Sequence, residues 1–193
     1  MKKLINKIFL FLLLVTNFGC ENNNEPSEIQ KTEIIPLELG NYWKYQEGTA
    51  FDTIQVIGED FVKSKRCFDI LNGNIVDTRT NKEDGYYAIY YVPPHLDTEW
   101  IIFKYLGKIN ETYAGYFGSA TIVSISESIS ISLGTFKCYK YSFYSSNERG
   151  DETQHIDYVS PGIGIIIEEV YFKKIGGNQK LESRKELIKY KIN

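Results

Sequence analysis

Residues 121–133 read TIVSISESISISL, and their apolar and polar positions alternate with a period of two. Odd positions carry Val123, Ile125, Ile129, Ile131 and Leu133, while the even positions after Ile122 are all serine. Successive side chains of a β-strand point to opposite faces, so the stretch predicts a strand with one apolar and one hydroxyl face. Thirteen residues are long for one strand, which predicts a bend or bulge near Glu127. The same patterning, less strict, predicts strands at 43–46, 53–57, 66–71, 86–91, 100–105, 136–144, 153–159, 164–173 and 181–192. Gly, Asn and Asp gather between them at 72–74, 83–85, 147–151 and 176–178, as turns require. Connections this short favour an antiparallel meander over crossover helices. No stretch after the first 20 residues shows a helical apolar stripe of three turns, so the expected class is all-β, in one domain with few or no helices.

Several predicted strands are apolar on both faces. Tyr86 to Tyr91 reads YYAIYY without polar alternation, and 136–144 carries Tyr139, Tyr141 and Phe143 on one side with Phe136 and Cys138 on the other. A sheet covering one core needs a single apolar face. Two such faces imply either a second packed layer or an apolar concavity lined by aromatics, and the sequence leaves both open.

The chain opens MKKLINKIFLFLLLVTNFGC. Lys2, Lys3 and Lys7 precede an apolar stretch from Ile8 to Val15, far short of the roughly 20 residues needed to cross a bilayer. This pattern predicts a secretory leader over residues 1–19. Gly19-Cys20 resembles the end of a bacterial lipobox, in which the cysteine thiol is alkylated by diacylglycerol and becomes the new N-terminus. Asn17 stands three places before it, where an aliphatic residue is usual, a relaxed form similar to that of Bacteroidota lipoproteins. Cys20 is therefore the expected lipid-attachment residue. Two or three chains such as palmitate, at about 0.8 kcal/mol per buried CH₂, make a stable membrane anchor. Residues 20–33, polar and acidic, predict a flexible tether to a β-domain spanning 34–193. Glu21 and Glu25 beside the anchor also resemble the surface-export signal of such lipoproteins, so outer-membrane placement facing either the periplasm or the exterior is expected.

Without its leader the chain carries 19 basic against 25 acidic side chains, with no basic cluster, which argues against nucleic acid as a partner. Aromatic residues make up 15% of the chain and tyrosine is the commonest of them. Tyrosine suits strands and binding surfaces, since it buries a ring and keeps a polar tip. Cys67 and Cys138 either pair in the oxidising envelope or stay as two buried thiols. His95 and His155 stand 60 positions apart with no other ligand at metal spacing beside either, so no metal and no cofactor is expected.

The stretch YVSPGIGIIIEEV, residues 158–170, poses the question of a phosphate loop. Such a loop leads from a strand into a helix, whereas Gly164 here is followed by a β-branched run with no N-cap and no Lys-Ser or Lys-Thr. The glycines therefore predict a tight start to a strand. Together, LELGNYWKY (37–45), GTFKCY (134–139) and YVSPGIGII (158–166) resemble an uncharacterised group of envelope lipoproteins with GNYW, GTFxCY and PGxGxI motifs. These in turn are similar to the outer-membrane lipoprotein carrier superfamily. The resemblance covers most of residues 36–190 and implies a strongly curved antiparallel meander sheet, a half-barrel or flattened barrel. It brings no catalytic residues with it.

His155 and Asp157 share one face of a predicted strand, and Ser126 or Ser160 could be imagined beside them as a hydrolase nucleophile. No G-x-S-x-G elbow supports that. Glu168 and Glu169 are adjacent, hence on opposite faces, and poorly placed to share acid–base work. The expectation is no enzyme, but a lipid-anchored binding or accessory module for an apolar small molecule or an envelope protein. A structural or assembly lipoprotein without a pocket is the alternative, and a His155/Asp157 hydrolase the minor one. The oligomeric state is left open.

Overall fold

Twelve strands run in one antiparallel sheet whose spatial order departs from chain order at a single place. The structure is a computed structural model describing residues 33–62, 64–92 and 95–193, without the side chains of 91, 92 and 95–97. The expected leader, Cys20 and all of the expected tether except Glu33 lie outside the described residues. The strands are β1 (Tyr42–Glu47), β2 (Ala50–Val62), β3 (Lys65–Asn72), β4 (Ile75–Lys82), β5 (Gly85–Val92), β6 (His95–Lys104), β7 (Thr112–Gly115), β8 (Gly118–Ile131), β9 (Gly134–Ser146), β10 (Glu152–Ser160), β11 (Gly164–Lys173) and β12 (Lys180–Lys191). They lie in the order β6-β5-β4-β3-β2-β1-β12-β11-β10-β9-β8-β7. Consecutive strands pair through short turns, as a meander requires, except β6 and β7, and β1 pairs with β12 to join the two halves. The sheet curls into a barrel that is nearly closed, with its seam between the outer strands β6 and β7. The expected all-β curved meander is what the chain forms.

The bulge expected near Glu127 is present: the β8–β9 register slips between Ile122 and Ser124 and again between Ser124 and Glu127. The bulge also changes which face of β8 is inward. Neither row faces the core along the whole strand. Ala120 and Ile122, on the even face, are fully buried, whereas Val123 and Ile125 are about 40% exposed. Ile122 lies opposite Tyr141, on the side where that ring fills the barrel; beyond the bulge the parity reverses, so that Ile129 and Ile131 pack against the core while Ser126, Ser128 and Ser130 are exposed. Farther along the hairpin, Ser130 pairs with Thr135 at 2.9 Å and Lys137 donates to Ser128 at 2.5 Å.

The two-faced apolar strands resolve as a concavity, since the described residues form no second sheet. Inside, Phe103 stacks among Tyr86, Tyr141 and Phe143, with centroids 6.1, 5.0 and 6.0 Å away. At one end the stretch after Glu33 crosses the barrel. Gly162 donates to the Glu33 carbonyl at 2.7 Å, while Asn81 on β4, well around the sheet, donates to the Ile35 carbonyl at 2.8 Å. Ile34, Ile35 and Leu37 are buried there and act as a plug. The PGIG turn meets the GNYW stretch at this end: the Trp43 indole donates to the Ile163 carbonyl. Gly164 has φ +116°, and a Cβ on it would lie 3.2 Å from Trp43 Nε1. Both facts require glycine.

The seam is closed by tyrosine hydroxyls in place of a ladder. β7 has four residues, too short to pair along β6. Tyr116 donates its amide to the Ile101 carbonyl at 2.9 Å. Tyr113 Oη donates to the Ile102 carbonyl at 2.9 Å and accepts the Lys104 amide at 3.3 Å. Tyr141 Oη donates to the Lys104 carbonyl at 2.7 Å. These bonds answer edge groups that would otherwise lie unpaired beside an apolar interior. Cys67 and Cys138, on β3 and β9, are free, buried thiols, and burial pushes Cys138 up to about 12.

Two outcomes are expected. Gly164→Val should lower stability by about 1–3 kcal/mol through backbone strain and the clash with Trp43; an unchanged urea midpoint would contradict this reading of the turn. Tyr113→Phe should cost about 1–2 kcal/mol and speed hydrogen exchange of the Lys104 amide. Exchange at the wild-type rate would show that the hydroxyl does not hold the seam.

Candidate functional site

Inward positions of β2, β4, β10, β11 and β12 bring charged groups together on the barrel interior. Asp157 on β10 lies directly opposite Glu168 on β11 in the ladder, and Glu168 in turn lies opposite Lys185 on β12. From β2, Asp52 approaches Lys185, whose Nζ is 3.8 Å from both Asp52 Oδ2 and Glu168 Oε1. On the other side, β4 contributes Asp77 and Arg79, joined at 2.9 Å, with the guanidinium 5.5 Å from the Tyr116 ring centre. Of these groups Asp77, Arg79, Asp157 and Glu168 line a cavity of about 150 Å³ whose remaining wall is mostly apolar, including Ile35, Trp43, Ile70, Phe103, Phe117 and Ile165. A smaller space of about 30 Å³ adjoins it between Tyr45, Asp52 and Lys185.

Asp157 is the outlier. It is 5% exposed, and its Oδ1 is buried without a hydrogen-bond partner. Burial, and then the facing Glu168, push its carboxyl well above the usual range, with Lys185 acting weakly the other way. The interior tyrosines are shifted in the same sense. Burial raises Tyr45, whose hydroxyl donates to the Ile165 carbonyl at 3.1 Å, and lifts Tyr86 to about 12. A buried polar atom without a partner, on a side chain that lines a cavity, is an unmade bond of the kind that costs about 1–3 kcal/mol until something meets it.

The residues singled out from sequence fall apart. His155 and Asp157 do share the inward face of β10, but His155 stacks on Phe117 with centroids 6.3 Å apart, and the orphan oxygen of Asp157 makes no bond to it. Ser126 is exposed in the bulged part of β8, and Ser160 is buried at the far end of β10. Glu168 and Glu169 do face opposite ways: Glu169 accepts from Arg184 at 2.7 Å and from Tyr171 at 3.0 Å, away from the cavity. The carboxyl that Glu168 meets is Asp157, eleven positions back, a pairing visible only once the β10–β11 register is known. Asp77 and Arg79 come from a strand that apolar alternation missed. The side chain of His95 lies outside the described residues. Among those described, no group of three His, Cys, Asp or Glu is placed to hold a metal ion, and no helix is long and apolar enough to cross a membrane.

Comparison with solved structures finds the same fold in two crystal structures. One is of a candidate lipoprotein from Parabacteroides distasonis, with TM-score 0.54 and 14% identity over 83% of this chain and 99% of that one. The other is of a candidate exported protein with a YmcC-like fold from Bacteroides fragilis, with TM-score 0.54 and 11% identity over 83% of this chain and 100% of that one. At such identities the likeness is one of fold. No family model matches the sequence, and no curated protein does.

The raised Asp157 carboxyl sets a pH dependence. The folded state keeps this proton while the unfolded chain loses it near pH 3.9, so above that value the folded protein binds more protons and stability falls as pH rises toward the raised folded value. Asp157→Asn removes that dependence. The wild-type melting temperature is expected to fall relative to Asp157→Asn between about pH 4 and pH 7, whereas parallel curves would show an ordinary carboxyl.

Proposed function

We propose that the protein is a lipid-anchored lipoprotein of the cell envelope, held in the outer membrane through an acylated Cys20, and a non-catalytic binding module whose receptor is the barrel interior. The leader and lipobox-like Gly19-Cys20 support the anchor, as does a fold shared with a candidate lipoprotein and a candidate exported protein. The observation that carries the binding role is the unpartnered oxygen of Asp157, a residue that lines a cavity walled largely by apolar side chains. A purely structural protein gains nothing from a buried carboxyl facing another carboxyl, since filling the space with apolar side chains would stabilise it. The cavity also bounds the ligand. About 150 Å³ holds one benzene-sized ring and excludes a lipid chain.

Both parts are open to test. Cys20→Ser should lose fatty-acid labelling and leave the membrane fraction; a variant still labelled would place the anchor elsewhere. One-ring fragments added to the full-length protein should shift the NMR signals of Trp43 and Phe117. A fragment set that moves no interior signal would favour the structural alternative.

A further inference from the structure

The charges around the cavity do not balance. Four acids, Asp52, Asp77, Asp157 and Glu168, face two bases, Arg79 and Lys185. Arg79 is bound to Asp77, and Lys185 divides its charge between Asp52 and Glu168. Asp157, a residue only 5% exposed, lines the larger space and keeps a side-chain oxygen without a partner. We infer that the cavity takes a small organic cation, with an ammonium group seated against Asp157 and beside Glu168 and a one-ring or branched apolar body packed on Trp43 and Phe103. This rests on the binding role proposed above and names its ligand class.

Three observations converge on that chemistry. An anion would meet the Glu168 carboxylate with no uncommitted base to offset it, so charge disfavours it. A neutral donor could bond the Asp157 oxygen, yet a cation gains charge-assisted hydrogen bonding and the attraction of the aromatic faces as well. The size matches too, because about 150 Å³ leaves room for a single ring and its substituent. Phe117, half exposed in the turn between β7 and β8 and stacked on His155, stands at the opposite end of the barrel from the Ile35 plug.

Seating the cation also moves a proton. In the empty protein burial favours the protonated form of Asp157; an ammonium favours the carboxylate, so a proton leaves to solvent as the N–H···O bond forms. The titratable groups that face Asp157 are Glu168, Lys185, Tyr45 and Tyr113, and burial keeps both tyrosines neutral. The proton released therefore comes from Asp157, and affinity should rise with pH while the amine stays protonated.

Calorimetry on the full-length protein with benzylamine and its neutral counterpart benzyl alcohol tests this. Benzylamine should bind about tenfold or more tightly than the alcohol, with a heat that depends on buffer ionisation, and the advantage should vanish in Asp157→Asn. The buffer dependence is read on the wild-type protein, so the test survives a variant that folds poorly. Equal affinity for amine and alcohol would overturn the cation while leaving the binding role intact. Binding of neither would remove both and leave the cavity to water.

Discussion

One constraint governs this protein: a single sheet must supply both sides of its own core. No second layer among the described residues receives the apolar face, so the sheet curls until its ends meet and its side chains pack on one another across the interior. Closure fails only at the shortest strand, and there the Tyr113 and Tyr141 hydroxyls supply the bonds that a ladder would have made. The Ile34–Leu37 stretch stops one end, and the Trp43 indole ties that end to the turn after Pro161. The tyrosine content thus has a mechanical use as well as an apolar one: each ring fills the core while its tip satisfies backbone.

Much of the fold was legible because alternation is a local signal. Of twelve strands, the two missed fail for identifiable reasons. β4 turns Asp77 and Arg79 inward, so its core face reads as polar, and β7, TYAG, is too short to show a period. In β8 the alternation was legible but its change of face was not: Ala120 and Ile122 are inward before the bulge, Ile129 and Ile131 after it. Local pattern also identified the Gly164 turn but could not say that Trp43, 121 positions earlier, was what crowded it.

The site was far less legible. Asp157 was visible only as a strand neighbour of His155, and Glu168 only as the neighbour of Glu169. What joins Asp157 to Glu168 is strand register, which shifts by a residue between Tyr158 and Val159 and leaves no mark in composition. Burial of Asp157 depends on the whole barrel closing around it. The pairing of two inward carboxyls, each unremarkable in the sequence, is a tertiary property, and it gives the interior its chemical character.

The central claim is that this interior holds a neutral carboxyl with an unmet bond. Carbon-13 NMR of the aspartate side-chain carboxyls, with Asp157 assigned by its loss in Asp157→Asn, reads that state directly. The account predicts a protonated Asp157 signal at neutral pH, converting to carboxylate when a small ammonium compound is added. A signal already ionised and titrating with the surface aspartates would contradict it.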